Sequence, residues 1–168
     1  RDLVKRIKSK KRKKITIAII AKYIATGAYE LKDSYTSLIE SLNFAAWQQK
    51  TELELVFVHA EQLEIENEKA IAQLKHADGI IVPIGWGGRG VEGKIRAIRY
   101  AREKKVPFLG LCYGMQLASV EFARNVVGLK DANSIEVNPK TKYPIIHDIP
   151  FDAHYQKIKG EGASMRLG

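Results

Sequence analysis

Two hydrophobic periods alternate along this chain. Short runs of β-branched and aliphatic residues read as strands, and longer stretches with apolar residues three and four apart read as helices. Ile15 to Ala21 is such a run with basic flanks, and it predicts a central parallel strand buried on both faces. From Tyr35 to Gln49 the apolar positions Leu38, Ile39, Leu42, Ala45 and Ala46 predict a helix, with Asp33 or Ser34 as its N-cap. Leu53 to Val58 predicts a second strand, and Glu66 to Lys75 a helix ending before Asp78-Gly79. Gly79 to Val82 predicts a third strand closed by Pro83, and Gly90 to Lys104 a helix with Val91, Ile95, Ile98 and Ala101 inward. Pro107 to Leu111 then predicts a fourth strand, and Gly114 to Val127 its helix.

Strands and helices alternating with short loops predict an α/β fold, with a doubly wound, mostly parallel sheet, helices on both faces and right-handed crossovers. Ligands in such folds bind outside the carboxyl ends of the strands. Two turns fall at such ends, Pro83 to Gly90 and Cys112 to Gln116, and are expected side by side. After Gly128 the periodicity fades, and Asp131 to Glu136, Pro139, Pro144 and Pro150 are expected in loops.

Composition changes this picture in one place. Residues 1–14 hold nine Lys/Arg against one Asp, so all but one unit of the net charge of +9 lies in this arm. It carries no aromatic interleaving, and a solvated linker is expected rather than a nucleic-acid contact. The arm followed by Ile15 to Ala21 imitates a signal peptide, but Lys22 ends the apolar run too early, and a buried strand explains it better. No run reaches the length of a membrane span, so no membrane partner is expected. One cysteine in 168 residues excludes a disulfide framework and suits the cytoplasm. The organisation predicted is an arm, residues 1–14, and a domain, residues 15–168.

That cysteine carries the candidate chemistry. Gly110-Leu111-Cys112-Tyr113-Gly114 is Gly-x-Cys-x-Gly at a strand-to-helix junction, the nucleophile-elbow spacing with sulfur in place of oxygen. Flanking glycines permit the sharp turn, and the following helix N-terminus favours negative charge and offers amides to an oxyanion. A lone cysteine is also commonly a small buried apolar residue. Pro83 to Gly90 carries Gly85, Gly87, Gly88 and Gly90, and such a loop lets backbone amides approach a ligand closely. No Lys-Ser or Lys-Thr follows, so it is not a phosphate loop of the Walker kind.

Together the two loops, with Gly114-Met115-Gln116 after the cysteine, resemble the class I glutamine amidotransferases. More narrowly, Arg89 to Lys94, Gly110 to Leu117, Glu121 to Arg124 and Leu129 to Glu136 resemble the glutaminase domain of the CTP synthase family. Ile17 to Tyr23, Leu31 to Tyr35 and Ser164 to Gly168 resemble further segments of it. The resemblance implies a flavodoxin-like domain in which Cys112 forms a thioester with glutamine and releases ammonia. Gly85 and the amide of Tyr113 would line the oxyanion hole and substrate pocket, with Gly114 and Met115 beside them. Gln116 and Glu136 would hold the glutamine's polar head, and Arg89 falls in a segment linked to GTP activation. No metal or cofactor is implied here. ATP and magnesium would belong to a synthetase domain, the implied partner, in a homo-oligomeric parent enzyme.

Several positions depart from the family. Its loop reads Pro-Gly-Gly-Phe-Gly, whereas here Ile84 and Trp86 replace the first Gly and the Phe. If position 84 needs positive φ, a β-branched residue is costly there. Tyr113 replaces a Leu and enlarges the pocket wall, and Ile135 and Val137 replace Thr and Phe. The family's catalytic His-x-Glu lies beyond the segment resembled by Ser164 to Gly168. The chain is therefore expected to stop before it, to turn over weakly alone, and to leave a sheet edge uncovered. His59, after the second strand, suits a capping or surface role, and His76 a solvated helix end, while His147 and His154 fall in the irregular tail. Two alternatives stay open: a catalytically degenerate glutaminase-like binding module, and a cysteine hydrolase of another specificity on the same elbow.

Overall fold

A computed structural model describes residues 13–22, 25–26, 29–30 and 33–148, with Val4 and Ile7. The carboxyl-terminal segment Ser164 to Gly168, His154, and most of the basic arm therefore lie outside the described residues.

The first strand, β1 (Lys13–Ala21), is the predicted central one. Two short strands, β2 (Ala25–Thr26) and β3 (Tyr29–Glu30), pair antiparallel after it. A 3-10 turn at Asp33–Tyr35 leads into α1 (Thr36–Gln48), then β4 (Thr51–His59). Next come α2 (Ala60–Glu64), α3 (Glu68–Lys75), β5 (Gly79–Val82) and α4 (Val91–Lys104). The chain continues through β6 (Phe108–Gly110) and α5 (Tyr113–Asn125) to β7 (Ala132–Ser134) and β8 (Tyr143–Ile146).

The main sheet is parallel in the order β4-β1-β5-β6. Its alternating residues serve two cores. Ala18, Ile20, Val58, Ile80 and Val82 face α2 to α5 and pack with Leu63, Leu74, Ile95, Ile98, Leu117 and Val120. On the opposite face Ala21 and Phe57 meet Tyr35 and Ile39 of the 3-10 turn and α1. Helices on both faces of a parallel sheet make this the doubly wound fold expected from the sequence.

Four local expectations change. The cap of α1 is Tyr35, which makes no side-chain capping bond, because Asp33 and Ser34 are spent in the preceding 3-10 turn. Ala45 points outward, and the inward stripe of α1 is Leu38, Ile39, Leu42 and Ala46. Helix α2 was not expected. It is one short turn held at Ala60 and Leu63, and a five-residue element is too short to display a period. The region after Gly128 is not all loop, since β7 and β8 pair parallel with a register shift between Asn133 and Ser134. Neither strand exceeds four residues, and Pro144 within β8 masked the pattern.

The crossing of α4 over α2 is a backbone-to-backbone contact. A Cβ built on Gly93 would stand 1.8 Å from the carbonyl oxygen of Ala60. Only glycine allows that approach, and it brings the start of α4, hence the glycine loop before it, down onto the sheet. Gly93→Ala is expected to destabilise the fold by about 3 kcal/mol, read as a lower urea midpoint with an unchanged m-value.

Candidate active site

Strand β5 and helix α5 meet so closely that the turn between β6 and α5 has little freedom. A Cβ on Gly114 would stand 2.0 Å from the carbonyl oxygen of Val82, and one on Gly110 2.7 Å from the backbone of Gly114. The Leu111 amide donates to that same Val82 carbonyl at 2.9 Å. Cys112 absorbs the bend at φ 50°, ψ −102°, as the N-cap of α5. For a non-glycine residue this backbone costs about 1–3 kcal/mol, and such strain gathers at functional sites. Cys112 is exposed, so it is not the buried apolar residue a lone cysteine often is. Its carbonyl accepts the Met115 and Gln116 amides, 3.1 Å each, and Gly114 donates to Leu111, which leads the chain directly into the helix.

The loop from Pro83 to Gly90 stands beside this elbow, as the two adjacent strand ends require. Gly85 is buried, and a Cβ there would meet Lys94 Nζ at 2.9 Å and the Tyr113 ring at 3.3 Å. Gly87, at φ 64°, is the most heavily tied residue of the loop. Its amide donates to Glu136 Oε1 at 2.5 Å, and its carbonyl accepts Tyr113 Oη at 2.8 Å and Lys22 Nζ at 3.4 Å. Lys22 Nζ also donates to the Trp86 carbonyl. Ile84 is half exposed and is not among the non-glycine residues with positive φ, which are Lys50, Glu66, Lys105 and Cys112 among the described residues. The feared strain at Ile84 is absent.

Among the residues singled out from the sequence, Cys112, Gly85, Tyr113, Gly114 and Glu136 converge on Gly87 and the elbow. Gln116 is half-buried and Met115 exposed on the first turn of α5. Arg89 is exposed at the loop's end, where Nε pairs with Glu61 at 3.1 Å and Nη2 donates to the Lys22 carbonyl at 3.3 Å. His59 also begins a His-x-Glu triplet with Ala60 and Glu61, a spacing the reading of the histidines had not counted. The triplet cannot serve Cys112, because β4 lies three strand positions from β6, about 14 Å away. His76 caps α3 as expected, and His147 at the end of β8 bonds the Asp148 carbonyl through Nδ1 at 2.8 Å. A groove of 360 Å³ lies beside Pro83 and Ile84, lined by Tyr35, Leu38, Leu42, Leu109 and Leu111 with Ser34, Ser37 and Ser41. Its lining holds no charged side chain.

Two lysines at the site were not singled out. Lys22 follows β1 at the carboxyl end of the sheet, where ligands gather in this architecture, and that position was the available signal. Burial, then Arg89, lowers its pKa. Lys94 lies three residues after Val91 on the inward stripe of α4, so the helical period itself pointed to it. Lys94 is fully buried, its ammonium has no hydrogen-bond partner among the described residues, and it lies 5.3 Å from the centre of the Tyr113 ring. Burial, then the charge of Lys22, lowers its pKa to about 8.

A strained cysteine at a strand-to-helix elbow, next to a glycine loop at a neighbouring strand end, has the arrangement of a nucleophile elbow in a doubly wound fold. The family model Glutamine amidotransferase class-I matches residues 30–163, and the chain belongs to that family. Among characterised proteins it is similar to the CTP synthase of Shouchella clausii, 50% identical over all 168 residues but only 29% of that protein. It is 49% identical to the CTP synthase of Herpetosiphon aurantiacus, again over the whole chain and 29% of the relative. Among solved structures it is similar to the glutaminase domain of Trypanosoma brucei CTPS with bound acivicin, at TM-score 0.73 and 34% identity, covering 83% of this chain and 53% of that one. The chain thus spans under a third of the CTP synthases it matches.

Lys94 sets a stability prediction with a definite sign. Its folded pKa lies below the usual 10.5, so between about 8 and 10.5 the unfolded chain binds more protons and stability rises with pH. Below about pH 8 the full penalty applies, about 3 kcal/mol. Lys94→Met is expected to raise the melting temperature at pH 7 and to flatten the rise from pH 8 to 10.5, measured by thermal unfolding across that range.

Proposed function

We propose that this chain is the glutamine-hydrolysing part of a CTP synthase, with Cys112 as its nucleophile. The observation that carries the reading is the exposed Cys112 held at φ 50° beside the loop of Gly85 and Gly87. The sulfur attacks the side-chain amide carbon of glutamine. Charge on the resulting tetrahedral oxygen meets the amides of the loop and of Tyr113 at the start of α5. The C–N bond then breaks, ammonia leaves with the thiol proton, and a glutamyl thioester remains. Water hydrolyses it to glutamate and restores the thiol. Glu136 takes the α-ammonium group of glutamine, and Gln116 on the first turn of α5 holds the other polar end.

The ammonia goes to a synthetase portion of the same enzyme, where UTP activated with ATP and magnesium is aminated to CTP. The glutaminase step itself uses no metal or cofactor. Arg89 is the contact for a GTP effector, since an exposed guanidinium at the loop's end suits phosphate and reports directly on Lys22 and the loop. The working enzyme is a cytoplasmic homo-oligomer. No helix among the described residues is long and apolar enough to cross a membrane. A degenerate binding module was suggested partly by Ile84, and its unstrained backbone removes that support.

Acylation and turnover are expected to separate. An electrophilic glutamine analogue such as acivicin should add once per chain at Cys112, with glutamine protecting, as read by intact mass and peptide mapping. Steady ammonia release should be weak, because the chain's own His-x-Glu triplet stands far from the sulfur. Cys112→Ser should take no adduct, and Glu136→Gln should raise the half-saturating analogue concentration about tenfold. A folded chain that takes no adduct at Cys112 would sink this reading.

A further inference from the structure

Gly87 is restrained at both of its polar groups, the amide and the carbonyl. Its amide is held by Glu136, the carboxylate that the proposed function gives to the substrate's ammonium group. Glutamine therefore competes for that restraint as it binds. Its carbonyl is held by the Tyr113 hydroxyl at 2.8 Å, from a side chain only 1% exposed. This second restraint comes from a buried side chain and does not involve the carboxylate that the substrate engages. Tyr113 is also the residue immediately after the nucleophile, so its side chain ties the loop to the helix that carries Cys112. The ring fills the space against Gly85, 3.3 Å from where a Cβ would stand, and caps the buried Lys94. Lys22 adds to the arrangement by donating to the Trp86 and Gly87 carbonyls.

We infer that Tyr113 is a positioning residue: its hydroxyl latches the glycine loop to the nucleophile helix through the Gly87 carbonyl, keeping the oxyanion-binding peptides in place while glutamine draws Glu136 away. The inference rests on the glutaminase reading and deepens it. It assigns a side-chain role at a position where only the backbone amide had one. It also separates two steps: Glu136 governs how tightly the substrate is held, and Tyr113 governs how fast the held substrate reacts.

The test is Tyr113→Phe, which removes one oxygen from a filled site, followed by acivicin labelling of Cys112 across a concentration series. The maximal labelling rate is expected to fall about tenfold, with the half-saturating acivicin concentration unchanged. Alkylation by iodoacetamide, which needs no oxyanion hole, should keep its rate, and amide hydrogen exchange across residues 84–90 should quicken. Tyr113→Leu should show the same loss of maximal rate. An unchanged maximal rate in Tyr113→Phe overturns the latch, and so does an equal fall in the iodoacetamide rate, which would mark a general disturbance of the elbow. If the unsubstituted chain takes iodoacetamide but no acivicin, the glutaminase reading fails instead. Unaltered exchange over residues 84–90 in the variant then still overturns the latch by itself.

Discussion

The first turn of α5 lies directly against the last carbonyl of β5, with no side chain between them. A single methyl group on Gly114 would be driven to 2.0 Å from the Val82 oxygen, and Gly110 leaves no more room on the other side of the turn. This close approach forces the intervening residue into a backbone that costs free energy, and that residue is the cysteine. The strain is maintained because the helix beyond it buries Tyr113, Leu117 and Val120 in the main core. Packing holds the bend, and the bend presents the sulfur. The same contact brings the end of β5 near the thiol, so the glycine loop that leaves β5 has to stand beside it.

Around that loop, charge does what hydrophobic packing cannot. Lys22 and Glu136 bond the Trp86 and Gly87 peptide groups, and Arg89, paired with Glu61, bonds the Lys22 carbonyl. A loop with four glycines in six positions has much conformational freedom to lose, and these bonds restrict it. Lys94 stands apart, since it is a buried cation without a hydrogen bond directly under Gly85. A core built for stability alone would place a methionine there. Stability is given up at this position close to the chemistry, a familiar trade in working sites.

Much of this was legible in the residues. The strands β1 and β5 and the inward faces of α4 follow from β-branched runs and a clean helical period, because they are buried deeply enough for pattern to decide their structure. The elbow was legible because glycine spacing around a cysteine has a steric meaning that survives without coordinates. The short elements β2, β3, α2, β7 and β8 escaped, since unlike β5 and β6 they carry no unbroken apolar run of their own and exist through tertiary contact rather than local preference. At Ile84 the family's glycine raised the question of a positive φ, which only the backbone could answer, and this chain does not adopt one. The His59-Ala60-Glu61 triplet makes the converse point: spacing in sequence says nothing about a partner until the strand order is known.

The geometry that exposes Cys112 also makes it available to oxidants. It is exposed, and it is the single cysteine of the chain. A sulfenic acid formed there has no second thiol among residues 1–168 to condense with. Its exits are a disulfide with a thiol from outside these residues or a sulfenamide with a backbone nitrogen, both reversible, or further oxidation to the sulfinic acid, which is not. Repair of the site by thiols therefore requires a partner that can reach the exposed residue from outside this segment.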